Sequence, residues 1–280
     1  VQSFFKTPYI VTGHGGDVAF MNKGIMRKLK KKCLKNASYV TTVSPHLGNI
    51  IKNIYPVAHL DIQPMGCKTA NFGKKFRKEN YFHQNEKKVI LFVGRLVEIK
   101  GIKYLIDAMR SVDAILVIVG KGPLEKDLKE QAMEQGQKIQ FLGPKTHAEL
   151  REIYASADIF AAPSITAGDG AQEGFGLVIL EAMASGLPVV ASKSGGIVEI
   201  VKDEKNGLLS EEKSVWQLAD NLNTLLDDSE LYQKLSANAI RTVQQFDYSV
   251  IAGKYSNIFE QISSGELIHA EHSTKLYLSK

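Results

Sequence analysis

The chain has 280 residues, 44% of them apolar, and a formal net charge of +5. About two domains fit that length, at roughly 100–200 residues each, and the composition excludes a globally disordered chain. Two cysteines, Cys33 and Cys67, stand in unrelated contexts, which excludes a disulfide framework or a CxxC metal site and suits a reducing, cytoplasmic compartment.

No secretory leader is expected, because residues 1–5 carry neither a basic n-region nor an apolar h-region. The sequence opens without Met, directly on the approach to a strand, so a missing natural N-terminal segment is expected. Short strands are predicted at 9–12, 39–43 and 60–63 from their β-branched and aromatic residues, with a basic helix at 23–35 between the first two. That helix concentrates the charge: Lys23, Arg27, Lys28, Lys30, Lys31, Lys32 and Lys35 lie there with no acid among them. A polar stretch at 68–88 reads as a linker. Beyond it, strands at 89–94, 114–120, 139–142, 159–162 and 189–191 alternate with helices at 101–110, 123–135, 147–155, 175–184 and 196–201. Near-continuous apolar strands in such alternation predict a parallel sheet covered on both faces, a Rossmann-like α/β domain. The apolar stretch 174–192 contains Glu181, Pro188 and several glycines, so a buried helix, loop and strand explain it better than a membrane span. Helices follow at 214–226, 230–245 and 249–262, and then a polar tail, where His269 and His272 have no further ligand beside them.

Open parallel sheets bind ligands at the carboxyl ends of their strands, which directs attention to the turns after Gly94, Gly120, Leu142 and Pro163. In the first, Arg95 offers a bidentate fork and Lys100 a point charge, a pair suited to a diphosphate. Taken alone, these are equally readable as two solvated surface charges. In the last, Glu173-Gly-Phe-Gly leads into a helix, whose exposed amides and dipole favour an anion. Glu173 precedes that helix and Glu181 lies about two turns inside it. The same spacing separates Glu204 from Glu212, in what reads as an ordinary surface segment, so spacing alone carries little. A helical path from Glu173 to Glu181 spans roughly 10–12 Å at the standard rise. Paired glycosidase carboxyls sit about 5–9.5 Å apart, so hydrolysis is disfavoured.

The segments VGRLVEIKG, GKGPLEKDL, FLG, SADIFAAPS, EGFGLVILEAMASGLPVVAS and GGIVEIV, in that order, resemble the retaining glycosyltransferases of family 4, which have the GT-B fold. The likeness is dense over residues 89–207, and the insert 163–172 is most similar to exopolysaccharide and colanic-acid-type members. It implies two Rossmann-like domains facing a cleft. These would be a partial acceptor-side domain at 1–75, a nucleotide-sugar-binding domain at 76–248, a helix at 249–262 crossing back, and a tail at 263–280. It also implies roles. Arg95 and Lys100 would bind the donor diphosphate, with Gly94 giving room. Glu181 would hold the ribose, and Leu142 would present its backbone to the nucleobase. Glu173 would face the sugar, near the backbone of Phe175, Gly176 and Leu177. His14, in an HGxD context, would hydrogen-bond the transferred sugar, with Asp17 orienting it or capping the next segment. Ser44 would lie on the acceptor or donor side.

Family members carry about one hundred residues before the position of His14, including a glycine-rich loop that nothing here matches. No cofactor or metal is expected, since the family does not require one and no Asp-x-Asp motif is present. The basic helix is either a solvated face or, through Lys28, Lys30, Lys31 and Lys32, a patch for anionic membrane on the inner face. No stacking platform for nucleic acid accompanies it. The expected activity is sugar transfer from a nucleoside-diphosphate sugar to a saccharide or lipid-linked acceptor in polysaccharide synthesis. The rival is a non-catalytic nucleotide-sugar-binding module. A nicotinamide-dependent dehydrogenase is excluded by the lack of GxGxxG after residue 93.

Overall fold

The computed structural model describes residues 7–19, 24–82, 87–134 and 136–264. The chain divides into two compact units, Val1–Met65 with Tyr248–Lys280, and Gly66–Asp247.

In the first unit, β1 (Ile10–Gly13), β2 (Tyr39–Thr42) and β3 (Leu60–Ile62) form a parallel sheet in the order β1-β2-β3. β2 is buried along its whole length, as a central strand should be. The helix Pro45–Ile54 covers it with Leu47, Ile51 and Ile54, spaced at one helical face, and Pro45 pre-sets its first turn. The helix Tyr248–Ser263 places Ile258 and Ile262 against Tyr39 and Ile10. The predicted basic helix is present at Gly24–Asn36, with only Leu34 buried. Lys23 lies outside the described residues, as do His269 and His272.

The second unit holds a six-stranded parallel sheet, β6-β5-β4-β7-β8-β9. Its strands are β4 (Val89–Val93), β5 (Ile115–Val119), β6 (Ile139–Gly143), β7 (Ile159–Ala162), β8 (Val189–Ser192) and β9 (Leu208–Ser210). β4, β5, β7 and β8 are buried throughout, which matches their unbroken apolar runs. Leu105 and Ile106 of the helix Ile102–Ala108 share one core with Leu218, Leu222 and Leu225 of the helix Val215–Asp227. The helix Leu177–Ala184 is apolar on most sides and buries Ile179, Leu180, Ala182 and Met183.

Two expectations are corrected here. Residues 68–88 are not a linker between the units. They begin the second unit, with 3-10 turns at Thr69–Asn71 and Lys74–Phe76. Apolar anchors hidden in the polar composition explain this. The Phe72 ring sits edge-on to Tyr154 at 5.9 Å, Phe82 is buried, and Lys78 pairs with Glu152 at 2.7 Å. β9 is an addition to the expected strands, because three residues at a sheet edge leave no periodic signal.

Candidate active site

The strand order of the second unit reverses at β4, with β5 and β6 on one side and β7, β8 and β9 on the other. Such a switch opens a crevice outside the carboxyl ends of the two strands that flank it, here β4 and β7. The loop after β4 carries Gly94, Arg95 and Lys100, and the loop after β7 leads to Glu173. Residues 73 positions apart in sequence therefore meet, and the Lys100 ammonium donates to a Glu173 carboxylate oxygen. Their side chains are only 17% and 15% exposed, so solvent screens this ion pair incompletely. Arg95 is exposed and forms no ion pair among the described residues.

Beyond Glu173, Gly176 adopts φ +103 and starts the helix Leu177–Ala184, later than the predicted start at Phe175. Phe175 is buried, edge-on to the Phe246 ring at 6.0 Å. The helix start brings its unpaired amides and the positive end of its dipole next to Glu173. A turn that carried no expected role fixes the segment from below. Gly196 N–H donates to the Glu173 carbonyl at 2.8 Å, and a Cβ on Gly195 would stand 2.2 Å from that same oxygen. The signal for it was the Gly-Gly pair after β8. Leu142 stands half-buried near the end of β6, the outer strand beside β5.

Glu181 lies in the second turn of its helix, 8% exposed, and accepts a 2.9 Å hydrogen bond from the Tyr154 hydroxyl. Burial raises its carboxyl above the ordinary range, against the opposing pull of Tyr154 and His147. Burial, with Glu181 beside it, also holds the Tyr154 phenol well above its usual value, so it remains a donor. The Cys67 thiol is pushed up to about 12, first by burial and then by Glu181 and Asp247, and stays a protonated thiol.

A raised native pKa means that the folded state holds the Glu181 proton more tightly than the unfolded chain does. The stability cost of this carboxylate is therefore absent below the ordinary carboxylate range and grows as pH rises through the raised value. Glu181→Gln should raise Tm at neutral pH, with the gap to the parent closing in acid. A melt series across pH checks this, and a constant gap would refute it.

In the first unit, His14 follows β1 and is exposed. The Asp17 carboxylate accepts from the His14 and Gly15 backbone amides at 3.1 and 2.6 Å. It lies within the helical turn Gly16–Ala19 and reaches back to the two amides that precede that turn. Ser44 follows β2 at the start of the helix Pro45–Ile54, is fully buried, and its hydroxyl has no hydrogen-bond partner among the described residues. Lys28, Lys31 and Lys32 are exposed, but Lys30 is half-buried and its ammonium donates to the Val18 carbonyl at 3.1 Å. Lys30 therefore does not stand with Lys28, Lys31 and Lys32 in the expected membrane patch. Among the described residues, no helix is long and apolar enough to cross a membrane.

Glu212 also departs from expectation. It is no free surface acid, since both its oxygens are engaged by Thr166 in the loop before Glu173.

Residues 73–242 match the family described as "Glycosyl transferases group 1". The chain is 37% identical over 184 residues to an uncharacterized glycosyltransferase of Methanocaldococcus jannaschii, covering 63% of this chain and 46% of that protein. It is 30% identical over 262 residues to the GDP-mannose-dependent alpha-(1-6)-phosphatidylinositol monomannoside mannosyltransferase of Mycobacterium tuberculosis, covering 89% and 68%. It thus spans about half to two-thirds of the length of these relatives. Neither carries the exopolysaccharide or colanic-acid description that the insert 163–172 resembles. The structure of Anabaena HepE in complex with UDP-glucose superposes with a TM-score of 0.78 at 24% identity, over 94% of this chain and 74% of that one. The fold is α/β with parallel sheets, of the GT-B kind. Since the family match covers more than half of the residues, this chain belongs to the group 1 glycosyltransferases.

Proposed function

We propose that the protein moves a sugar from a nucleoside-diphosphate sugar to a saccharide or lipid-linked acceptor, with retention at the anomeric carbon, in the synthesis of a cell-surface glycan. The observation that carries this reading is the partly buried Lys100–Glu173 ion pair beside the helix start at Gly176. An incoming diphosphate competes for Lys100 and recruits the exposed Arg95. Glu173 is then released to face the sugar, while the two cations and the helix-start amides of Phe175, Gly176 and Leu177 stabilise the leaving diphosphate. In this reading these groups supply the charge neutralisation and no metal is required. Glu181 takes the ribose hydroxyls, Leu142 the base, and His14 a hydroxyl of the transferred sugar. Ser44 is assigned no ligand, because its hydroxyl is fully buried. A relative named for a phosphatidylinositol mannoside acceptor supports a lipid-linked one here.

UDP, GDP, UDP-glucose and GDP-mannose titrated by calorimetry test the donor site. At least one nucleotide should bind, and Arg95→Ala and Lys100→Ala should each weaken it by about 1.5–3 kcal/mol, the range for hydrogen bonds to charged groups. Equal binding by the parent and both variants would sink the assignment.

A lipid-linked acceptor makes membrane proximity useful, and we assign that contact, on the cytoplasmic face, to the helix Gly24–Asn36. Ile25, Lys28, Leu29 and Lys32 share one face of it, and all four are exposed. Apolar side chains interleaved with cations suit the headgroup boundary of an anionic bilayer, at about 1 kcal/mol per cation. Reversing Lys28, Lys31 and Lys32 to Glu should abolish sedimentation with phosphatidylserine vesicles at low salt. Sedimentation equal to the parent's would leave the solvated face as the correct reading.

A further inference from the structure

We infer that Glu212 is a positioning residue for Glu173, acting through the loop at 163–172. The inference rests on the donor-site reading above. Glu212 stands in the turn after β9 and grips Thr166 with both carboxylate oxygens. Oε2 accepts the Thr166 backbone N–H at 2.7 Å, and Oε1 accepts the Thr166 hydroxyl at 3.0 Å. The hydroxyl, its proton thus committed, accepts from the Gln172 side-chain amide at 2.7 Å. A chain of hydrogen bonds thus leads from Glu212 to the side chain of Gln172, the residue bonded directly to Glu173.

The loop is braced on its other side by the segment that carries Lys100. Ile165 N–H donates to the Ile99 carbonyl at 2.9 Å, and Gly168 N–H donates to the Glu98 carboxylate at 3.2 Å. Ala167 N–H closes the loop on the Ala171 carbonyl at 2.9 Å. Two acids on separate loops therefore hold the insert between them, with Glu173 at its exit. A carboxylate suits this post for a specific reason. Thr166 presents two donors, and only a group with two acceptor oxygens satisfies both. Gln in the same place accepts one and turns its own NH2 toward the other.

The test uses the protein with UDP-glucose and GDP-mannose as donors, UDP and GDP as nucleotide probes, and release of nucleoside diphosphate as the measure of turnover. Glu212→Gln should lower kcat by about ten- to a hundred-fold, the scale for a misplaced reacting group, with donor KM little changed. UDP and GDP affinities should be no weaker than the parent's, because the diphosphate contacts lie on Arg95 and Lys100, and a displaced Glu173 only frees Lys100. Thr166→Val, which deletes the hydroxyl shared with Gln172, should reproduce the loss, and the pair combined should be non-additive. Thr166→Ser keeps every bond and should turn over like the parent. Independently of activity, the Thr166 amide should lose hydrogen-exchange protection in Glu212→Gln while the strand amides keep theirs. Parent-level kcat in both Glu212→Gln and Thr166→Val would overturn the inference. So would parallel losses of Tm, nucleotide affinity and kcat, which mark a clamp serving only the fold. Failure of the parent to bind UDP and GDP would instead remove the donor-site reading, and this inference with it.

Discussion

Glu173→Gln should cut sugar transfer by about 10²–10³-fold, the scale on which a preorganised electrostatic contact in the transition state is felt, and yet bind UDP or GDP more tightly than the parent. The two effects have one origin. The Glu173 carboxylate holds the ammonium of Lys100, and both side chains are mostly out of solvent. A diphosphate has to take Lys100 from a partner of its own charge sign. Glutamine keeps the shape and a hydrogen bond but gives up the charge, so Lys100 is already available. The gain should be about five-fold, corresponding to ~1 kcal/mol for a partly screened pair. Lys100→Ala should move affinity the other way, since it removes the cation itself. Calorimetry on the parent and both variants, beside a transfer assay, separates the outcomes. Weaker nucleotide binding by Glu173→Gln would show that the ion pair does not compete with the ligand.

What was legible in the sequence was what a short segment decides by itself. β4 and β5 are unbroken apolar runs, so both faces of each must be covered, and the sequence alone implies a parallel sheet. The Gly-Phe-Gly turn announces a helix start, because Gly176 takes a left-handed φ of +103 that most side chains avoid. Its glycine also moves the first helical residue from Phe175 to Leu177. Pairings across the fold were not legible. Nothing near Lys100 in sequence points to Glu173, 73 residues away, and nothing near Glu212 points to Thr166, 46 residues away. The topology that crosses from β6 to β7 creates the first pairing, and the turn after β9 creates the second. Residues 68–88 misled for the converse reason. Composition averages over Phe72 and Phe82, which anchor the stretch to the second unit one side chain at a time. Among the basic residues, charge did not reveal direction, and Lys30 turns back to the Val18 carbonyl while its neighbours face solvent.

Gly120→Ala should destabilise the second unit by about 3 kcal/mol or more, in the range of severe steric and backbone strain, and should remove nucleotide binding as well. Gly120 follows β5 at φ +132, and a Cβ there would stand 1.9 Å from the Gly94 carbonyl oxygen. No rotamer change relieves that clash, because both partners are backbone. The strand ends are also tied together at this point. Gly94 N–H donates to the Val119 carbonyl at 3.0 Å, and Gly120 N–H donates to the Gly143 carbonyl at 2.9 Å. Pushing Gly120 away from Gly94 therefore shifts the root of Arg95 on one side and the residue after Leu142 on the other. These are the positions assigned to the diphosphate and the base. Gly136→Ala provides the control, since Gly136 also has a positive φ, +63, but a Cβ there would meet no atom within 4 Å among the described residues beyond its chain neighbours. That variant should lose only the left-handed penalty of roughly 1–2 kcal/mol and bind nucleotide like the parent. Thermal melts with and without UDP or GDP compare the two. If Gly120→Ala behaved like Gly136→Ala, the close approach of β4 and β5 at their carboxyl ends would not be what shapes the site.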